Sequence, residues 1–516
     1  MKLCQVSGQA GQSLLDALRR ESQHIDAPCG GKTRCVRCMV RLSDESSALL
    51  DAPSALEHEL LGSKRLTEGW RLACRALFTQ DSTLGVEIPN ARLDIPDFPT
   101  RKARSSAAAH DDSARALSDL IVAVDIGTTT VVAVLADRRS GDIVARVAEV
   151  NQQRSWGADV IARIERALSS PIAQASLHEL IHKQLEAMLG ALRQQAGLDE
   201  LPLVYLCGNT TMLHLLEGAD LRGLATMPFA PAFLDSRRTL IGARRIRAQL
   251  IGGISAFVGA DIMAGLFACG FDQPADAPRL LVDIGTNGEM ALALADRIFV
   301  TATAAGPAFE GELISSGSPA TEGAIDHVWL DEARHIHFST IGSPVEQSQA
   351  TGLCGSGLLD LISCLRRLAT IDEYGAFTST PPIYSFGAGQ PSLTQADVRS
   401  LQLAKGAIAA GIDILCQRAG TDVGEIATLY LAGGFGSTLL PSSALDIGLL
   451  PAALTGRIET AGNTALSGAL LLAAQPEAFA SMRTLLQRIT VVELARERGF
   501  QDAFADAMLF PELDHA

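Results

Sequence analysis

Two hydrophobic stretches, each divided by a glycine–threonine turn, stand out in the pattern of apolar and polar positions along the chain. The first, IVAVDIGTTTVVAVLAD at 121–137, is apolar and β-branched on both sides of its turn, which predicts a buried β-hairpin. The second, VDIGTNGEMALALAD at 282–296, repeats the V-D-I-G-T motif 158 residues after its first copy. A repeat at this long spacing predicts two structurally similar lobes and not a short-period solenoid.

The rest of the pattern divides the chain into a small module, a linker and a two-lobed body. Helical periodicity of apolar positions predicts helices at 157–170 and 175–197, and LPLVYLCGN at 201–209 predicts a further strand. The N-terminal residues combine short apolar runs with glycine turns and end in a predicted strand at 86–90. Small, polar and charged residues then predict a linker. We therefore expect four units, at 1–95 (module), 96–119 (linker), 120–255 (first lobe) and 256–516 (second lobe).

Composition and charge narrow the class of protein. At 516 residues the chain is too long for one hydrophobic core, and 47% hydrophobic with 20% charged residues is typical of a soluble globular protein. The most apolar stretches are broken by Asp or Gly, and the start of the chain lacks the basic and apolar regions of a secretory signal. We therefore expect a cytoplasmic protein with no membrane span. A formal net charge of −15 argues against general binding to nucleic acid, whose phosphates are also negative.

Three of the ten cysteines lie within ten positions of one another, and this cluster adds a candidate chemistry. Cys29, Cys35 and Cys38 are followed by a lone Cys74, in the spacing C-x5-C-x2-C-x35-C. Structural zinc sites usually take paired ligands, whereas plant-type 2Fe–2S proteins take three clustered cysteines and a distant fourth. The spacing therefore favours a 2Fe–2S cluster over structural zinc or free thiols. Cys4 is the alternative fourth ligand, and we favour Cys74.

The repeated Asp-x-Gly-Thr turns have a physical use at a phosphate. Glycine lets the backbone bend beneath the phosphate, and the N–H and hydroxyl groups that follow donate hydrogen bonds to it. The carboxylates of Asp125 and Asp283, one before each turn, can hold hydrated magnesium, which prefers few carboxylates and several waters. Together the turns predict a clamp on the phosphates of a nucleotide. Glu289 either reaches magnesium or its water, or has a surface or structural role. The candidate phosphate-binding residues are Gly127, Thr128, Thr129, Thr130, Gly285, Thr286, Asn287, Gly288 and Glu289.

A third glycine-rich turn completes the candidate nucleotide site. LYLAGGFGSTLLP at 429–441 is a predicted strand that runs into Gly433, Gly434, Phe435 and Gly436, and such a turn lets the backbone lie against a base or ribose. In this order the three elements resemble the phosphate-one, phosphate-two and adenosine motifs of the superfamily of acetate and sugar kinases, heat-shock ATPases and actin. The resemblance implies an α/β fold with two duplicated, RNase H-like lobes. The sequence carries no dinucleotide-binding or P-loop motif.

The same resemblance makes Asp261 a candidate catalytic residue, together with Asp125 and Asp283. Asp261 follows a Gly-Ala turn and precedes Asp283 by 22 residues, which is similar to the position of the catalytic base in sugar kinases of the superfamily. It would orient water toward the γ-phosphate or accept a proton; the alternative is an N-cap carboxylate at a helix start. Two more glycine-rich segments, at 302–312 and 351–362, are expected to cover the nucleotide or line the interface between the lobes.

With a ferredoxin-like module ahead of this body, the whole chain resembles the reductive activators of corrinoid-dependent methyltransferases. The likeness covers nearly the whole length and implies a β-grasp 2Fe–2S domain, with the four cysteines named above as ligands, followed by the two-lobed ATPase body. Thr33 and Val36 stand where glycines are usual in the family, which leaves the cluster potential open. Besides the motifs above, the likeness includes APCGGK, NQQRSWGADVIARI, GNTTMLHLLEG, VGADIMAG, ATAAGPAFEG, TGLCGSGLLDL and QLAKGAIAAGI.

The resemblance also implies a function. Such activators use ATP and Mg²⁺ and pass an electron from their 2Fe–2S cluster to inactive cob(II)alamin on a corrinoid protein, which regenerates cob(I)alamin for methyl transfer. The electron would come from an upstream low-potential donor such as ferredoxin or flavodoxin, and a homodimer is expected from the family. Two alternatives stay open: a nucleotide-gated electron carrier or scaffold without turnover, and a small-molecule kinase with a redox-sensing domain.

Overall fold

A four-stranded antiparallel sheet forms the N-terminal module. The computed structural model describes residues 2–21, 25, 38–88, 117–311, 313–342, 350–387, 389–436, 438–475 and 477–513. The elements of the module are β1 (Lys2–Gly8), α1 (Leu14–Arg20), β2 (Met39–Leu42), α2 (Asp44–Ser47), α3 (Ala55–Thr67), β3 (Trp70–Leu72) and β4 (Ser82–Ile88), in the sheet order β1–β4–β2–β3. Ser13 starts α1 by accepting a hydrogen bond from the N–H of Asp16. Leu14, Leu15 and Leu18 of α1 then enter the same core as the strands.

Several sequence predictions for the module and linker fall outside the described residues. β4 covers the first three residues of the strand predicted at 86–90. The last residues of the predicted linker, Leu117–Asp119, form a single 3-10 turn. Outside the described residues lie Cys29, Thr33, Cys35 and Val36 on the predicted cluster loop, residues 89–90 of the predicted strand and residues 96–116 of the predicted linker.

The first repeated motif folds as the predicted hairpin, at the centre of a six-stranded sheet. Its strands are almost entirely buried, because continuous apolar runs need cover on both faces of a sheet. The sheet order is β7–β6–β5–β8–β10–β9, with β5, β8 and β10 parallel and the other neighbours antiparallel. The strands are β5 (Leu120–Ile126), β6 (Thr130–Asp137), β7 (Ile143–Val150), β8 (Val204–Gly208), β9 (Arg237–Ile241) and β10 (Ile246–Leu250).

The helices predicted in this part of the chain are confirmed. Asp159 caps the first of them through the N–H of Ala162, and Ser170 caps the second, which has Pro171 at its first position. The strand predicted at 201–209 is β8. The helices are α4 (Val160–Ser169), α5 (Pro171–Gln195), α6 (Thr210–Glu217), α7 (Arg222–Ala225) and α8 (Ala260–Ala268).

The second repeated motif builds a sheet of the same pattern. The order β20–β19–β11–β12–β13–β21 again places an antiparallel hairpin, β11 and β12, beside a parallel strand, β19. In chain order, the strands of this part are β11 (Arg279–Ile284), β12 (Gly288–Ala293), β13 (Ile298–Thr303), β14 (Ala324–Leu330), β15 (Ile336–Thr340), β16 (Gly352–Leu353), β17 (Ile383–Ser385), β18 (Ser392–Thr394), β19 (Thr428–Ala432), β20 (Ile458–Gly462) and β21 (Ile489–Val491). The helices are α9 (Gly355–Arg367), α10 (Gln395–Ala419), α11 (Gly433–Gly436), α12 (Pro441–Asp446), α13 (Thr464–Ala474), α14 (Ala478–Arg488) and α15 (Phe500–Met508).

Helices α8 and α13 pack against each other beside the first sheet. Gly468 of α13 allows this close approach, since a Cβ at that position would lie 1.8 Å from the carbonyl oxygen of Ala264. Leu466 and Leu472 of α13 enter the core of the first sheet although α13 lies in sequence between β20 and β21, two strands of the second sheet. The start of α13 is thereby placed next to the strand ends of the first sheet. No helix among the described residues combines the length and the apolar character that a membrane crossing would need.

Candidate functional site

The two Asp-x-Gly-Thr turns face each other across one cavity of about 330 Å³, which we name the cleft. In each turn the first glycine N–H closes a tight loop: Gly127 donates to the carbonyl of Thr130 at 3.0 Å, and Gly285 donates to that of Asn287 at 2.9 Å. Gly288 and Gly436 are buried and do not line the cleft. The predicted residues that do line it are Asp125, Gly127, Thr128, Thr129, Thr130, Asp261, Asp283, Gly285, Thr286, Asn287, Glu289, Gly433, Gly434 and Phe435.

Four carboxyl groups that line the cleft have raised pKa values, and of these Glu289 is buried and Asp125, Asp261 and Asp283 are half-buried. Burial raises the pKa of Asp125 to about 6, that of Asp261 to about 7 and that of Asp283 to about 8. The neighbouring carboxylates of Asp125 and Asp261 add to the shift at Asp283. Burial followed by the charges of Asp261 and Asp283 raises the pKa of Glu289 well above its ordinary range. Such a concentration of poorly solvated carboxyl groups is costly without a cation, so the cleft is electrostatically suited to one.

A hydrated magnesium ion fits this acid set. Among the residues that the structure describes, no three His, Cys, Asp or Glu side chains come close enough to hold a metal ion by themselves. Magnesium does not need such a cage, because it keeps several waters and completes its shell with one or two carboxylates and phosphate oxygens. Asp125 and Asp283, each at the end of the strand that enters a turn, are placed for that role.

Asp261 lies in the first turn of α8 and not at its N-cap position, so the alternative of an N-cap carboxylate is wrong in position. Gly259 is the N-cap of α8, and Asp261 is the second residue of the helix. Its Oδ1 accepts a hydrogen bond from the N–H of Ile262 at 2.8 Å. The side chain is thus held at a helix N-terminus and lines the cleft opposite the turns, where the positive end of the helix dipole favours negative charge.

The third glycine-rich turn, Gly433–Gly436, which we name the adenosine turn, packs directly against the second phosphate turn. Gly433 has φ of 93°, and a Cβ there would lie 2.6 Å from Oδ1 of Asp283 and 2.5 Å from the carbonyl oxygen of Ile284. Only glycine satisfies both the conformation and the close approach. The ring of Phe435 stacks on that of Phe309 with centroids 5.0 Å apart, and both side chains line the cleft.

Several residues of the cleft were missed at the level of sequence. Asn463, the N-cap of α13, donates from Nδ2 to Oδ2 of Asp125 at 2.8 Å. Asn209, the N-cap of α6, donates to the hydroxyl of Thr128 at 2.9 Å. Both asparagines stand in a Gly-Asn-Thr sequence after a strand, and this repeat is the signal that would have revealed them.

Two residues of the segment NQQRSWGADVIARI, at 151–164, hydrogen-bond to carbonyl groups of the first phosphate turn. Asn151 donates to the carbonyl of Gly127 at 2.8 Å, and Arg163 donates to the carbonyl of Thr128. Arg154, which is 3% exposed, lines the cleft beside this turn. The guanidinium of Arg154 is thus positioned to offset negative charge that enters the cleft.

His327 faces the same cleft from the second lobe. Its Nδ1 lies 3.0 Å from Oδ2 of Asp360, whose other oxygen accepts a hydrogen bond from the hydroxyl of Ser443 at 2.6 Å. The hydrogen bond to Asp360 raises the pKa of His327. Because its partners come from distant parts of the chain, no sequence pattern indicates this histidine.

Glu310 joins the two phosphate turns. Its Oε1 accepts hydrogen bonds from the hydroxyls of Thr129 and Thr286, each at 2.8 Å. The segment at 302–312 is expected to cover the nucleotide or to line the interface between the lobes, and the contacts of Glu310 with both turns fit the second alternative.

The two described cysteines of the predicted cluster lie at the same end of the module sheet. Cys38 immediately precedes β2, Cys74 follows β3, and the N–H of Ala73 donates to the carbonyl of Cys38 at 2.9 Å. Cys38 is buried and Cys74 half-buried. Cys4 lies on β1, the strand at the opposite edge of the sheet. The arrangement fits a metal cluster that takes Cys74 in preference to Cys4.

Comparison with protein families matches almost the whole chain to three consecutive models. Residues 2–79 match the 2Fe-2S iron-sulfur cluster binding domain, residues 120–274 the RACo middle region, and residues 277–516 the C-terminal domain of RACo, the ASKHA domain. The ferredoxin-like module and the actin-like body that the sequence implied are thereby confirmed.

Individual relatives agree with these models. The chain is 31% identical over 425 residues to the corrinoid activation enzyme RamQ of Eubacterium limosum, covering 75% of this chain and 70% of the relative. It is 25% identical over 412 residues to the [Co(II) methylated amine-specific corrinoid protein] reductase of Methanosarcina barkeri, covering 72% and 73%. A solved structure, the reductive activator for corrinoid,iron-sulfur protein, superposes with a TM-score of 0.68 and 25% identity over 98% of this chain and 97% of its own. The chain belongs to the family of RACo-like corrinoid activation enzymes.

Proposed function

We propose that this protein uses ATP to drive an electron from a 2Fe–2S cluster onto inactive cob(II)alamin of a corrinoid protein, and so regenerates cob(I)alamin. One observation carries the proposal: a single chain joins a module that places Cys38 and Cys74 at one end of its sheet to a cleft where two phosphate turns, an adenosine turn and four carboxyl groups meet. The named relatives, which act in corrinoid activation or reduction, support the same conclusion.

The cleft binds Mg²⁺ and ATP in this proposal. The turns at Gly127–Thr130 and Gly285–Asn287 donate backbone and hydroxyl hydrogen bonds to the phosphates. Asp125 and Asp283 hold the hydrated magnesium ion that neutralises them. Asp261, with its pKa raised to about 7 by burial, orients the attacking water and accepts its proton near neutral pH.

Cys29, Cys35, Cys38 and Cys74 hold the 2Fe–2S cluster. A cluster bound there supplies one-electron transfer at low potential. Of these ligands, the module buries Cys38 and half-buries Cys74. An upstream low-potential donor such as ferredoxin or flavodoxin delivers the electron.

ATP is needed because the electron passes from the 2Fe–2S cluster to cob(II)alamin against an unfavourable difference in reduction potential. A gap of about 100 mV costs about 2 kcal/mol per electron, and closing two lobes on a nucleotide can supply that much through differential binding. We place the reaction in the cytoplasm, where cysteines stay reduced and free to hold metal. In this proposal the protein acts as a homodimer, and neither nucleic acid nor a membrane takes part.

An anaerobic spectroscopic assay tests the proposed function. The reconstituted protein is mixed with reductant, Mg–ATP and a set of cob(II)alamin proteins, and the absorption of cob(I)alamin is followed. We expect cob(I)alamin only when ATP is present, together with ATP hydrolysis that rises on adding the corrinoid protein. ATP-dependent phosphorylation of a metabolite would indicate a kinase, and tight nucleotide binding without hydrolysis or reduction would indicate a carrier or scaffold.

A further inference from the structure

One carboxylate oxygen holds the two phosphate turns together. Glu310 ends the 3-10 turn Pro307–Glu310 that follows β13. Its Oε1 accepts from Thr129 of the first turn and Thr286 of the second, at 2.8 Å each, and the two hydroxyl oxygens are 3.5 Å apart. We name these three side chains the clasp.

The clasp uses the donors that a phosphate would need. A threonine hydroxyl has one proton to donate, and both protons are committed to Glu310. A phosphate oxygen between the turns would require the same two donors, and it would carry the same sign of charge as the carboxylate. The two anions therefore compete for one place.

The neighbour of Glu310 links this place to the base side of the cleft. Phe309 stacks on Phe435 of the adenosine turn with ring planes 21° apart, and Gly311, with φ of 69°, follows Glu310. Two consecutive side chains of one short turn thus touch the adenosine turn and both phosphate turns. A displacement of Glu310 would therefore also move Phe309, the preceding residue of the same turn.

We propose that Glu310 is a built-in competitor of the nucleotide: it clasps the two phosphate turns when the cleft is free, and a phosphate of the nucleotide displaces it by taking over the hydroxyls of Thr129 and Thr286. The inference rests on the proposed nucleotide-binding function. It makes Glu310 a group that occupies both donors before the nucleotide arrives and thereby lowers the affinity of the cleft for the nucleotide.

The substitution Glu310→Gln tests the competition. The amide keeps the size and the accepting oxygen of the side chain but removes its charge, so a phosphate displaces it more easily. Titration calorimetry of the full-length protein with Mg²⁺ and AMPPNP, which is not hydrolysed, should give a Kd about 10-fold lower than that of the wild type. Glu322→Gln, at an exposed glutamate outside the cleft, should leave the Kd unchanged.

Each outcome decides the question. An unchanged or weaker affinity in Glu310→Gln overturns the inference, and a weaker one indicates that Glu310 assists magnesium or phosphate binding. Glu310→Ala, which removes the acceptor altogether, should also bind more tightly and replaces the first variant if that one does not fold. Failure of wild type and variants alike to bind Mg–AMPPNP overturns the proposed function and this inference with it, whereas normal binding without the gain overturns the inference alone.

Discussion

Asp283 shows how burial gives a single carboxyl group an unusual titration. Burial, with Asp261 and Asp125 nearby, raises its pKa from 3.8 to about 8. The unfolded chain ionises this group near pH 4, so between about pH 4 and 8 the folded protein holds a proton that the unfolded chain has lost. The free energy of unfolding that this group contributes below pH 4 is therefore lost progressively as the pH rises from about 4 through 8.

The variant Asp283→Asn should remove this loss. In EDTA and without nucleotide, its melting temperature should exceed that of the wild type by a margin that grows from pH 5 to pH 8, at roughly 2–4 °C for each kcal/mol of relieved cost. Thermal melts at four pH values measure the margin, and the exposed Asp199→Asn serves as control. A margin that stays constant with pH would show that Asp283 is ionised in the folded protein.

The cysteines allow an equally direct test at the residue level. Cys38→Ser and Cys74→Ser should each abolish the visible absorption of the 2Fe–2S cluster and leave the Kd for Mg–AMPPNP within about twofold, because the cleft lies in the body. Cys4→Ser is the matched control and should keep the spectrum, since Cys4 lies on the opposite edge strand. Loss of the cluster in Cys4→Ser with retention in Cys74→Ser would make the choice of fourth ligand wrong.

At the scale of elements, the two hairpins and the helices α4 and α5 could be predicted because their signals are local. Apolar runs around a glycine turn specify β5 with β6 and β11 with β12 wherever the rest of the chain lies. The place of α13 could not be predicted in this way. Its N-cap Asn463 reaches Asp125 across 338 residues of sequence, and a pattern within one window has no access to such a contact. The same holds for Glu310, whose partners lie on both repeated turns.

Asn463 makes the role of α13 testable, because it both caps the helix and contacts Asp125. Its Oδ1 accepts from the N–H of Leu466 at 2.7 Å, and its Nδ2 donates to Asp125. Asn463→Ala should lose about 1 kcal/mol of stability from the cap and weaken Mg–AMPPNP binding. Asn463→Ser keeps a capping side chain but is too short to serve both contacts. It should melt like the wild type and bind the nucleotide like the alanine variant. Equal nucleotide affinity in all three proteins would contradict a role for α13 in the cleft.

At the scale of the whole molecule, the module and the body have separate hydrophobic cores. The module core gathers Val6, Leu18 and Phe78 and contains no residue of the body among the described residues. The module touches the body through Arg19, which donates to the carbonyl of Ser155 and lies 5.5 Å from the ring centroid of Trp156. Within the part of the chain that the structure describes, this contact through Arg19 between two separate cores does not fuse them into a single cooperative unit.

Calorimetry of the full chain should therefore show two unfolding transitions that respond to different ligands. Mg–AMPPNP at 100 times its Kd stabilises its site by about 2.7 kcal/mol and should raise only the transition of the body. Cys38→Ser, measured without a cluster, should lower only the transition of the module, because structural metal contributes its binding energy to the domain that holds it. The exposed variant Asp199→Asn should move neither. A single transition that shifts with both the nucleotide and the cluster would show that the two units unfold together. Nucleotide binding in the body would then also stabilise the module that holds the cluster.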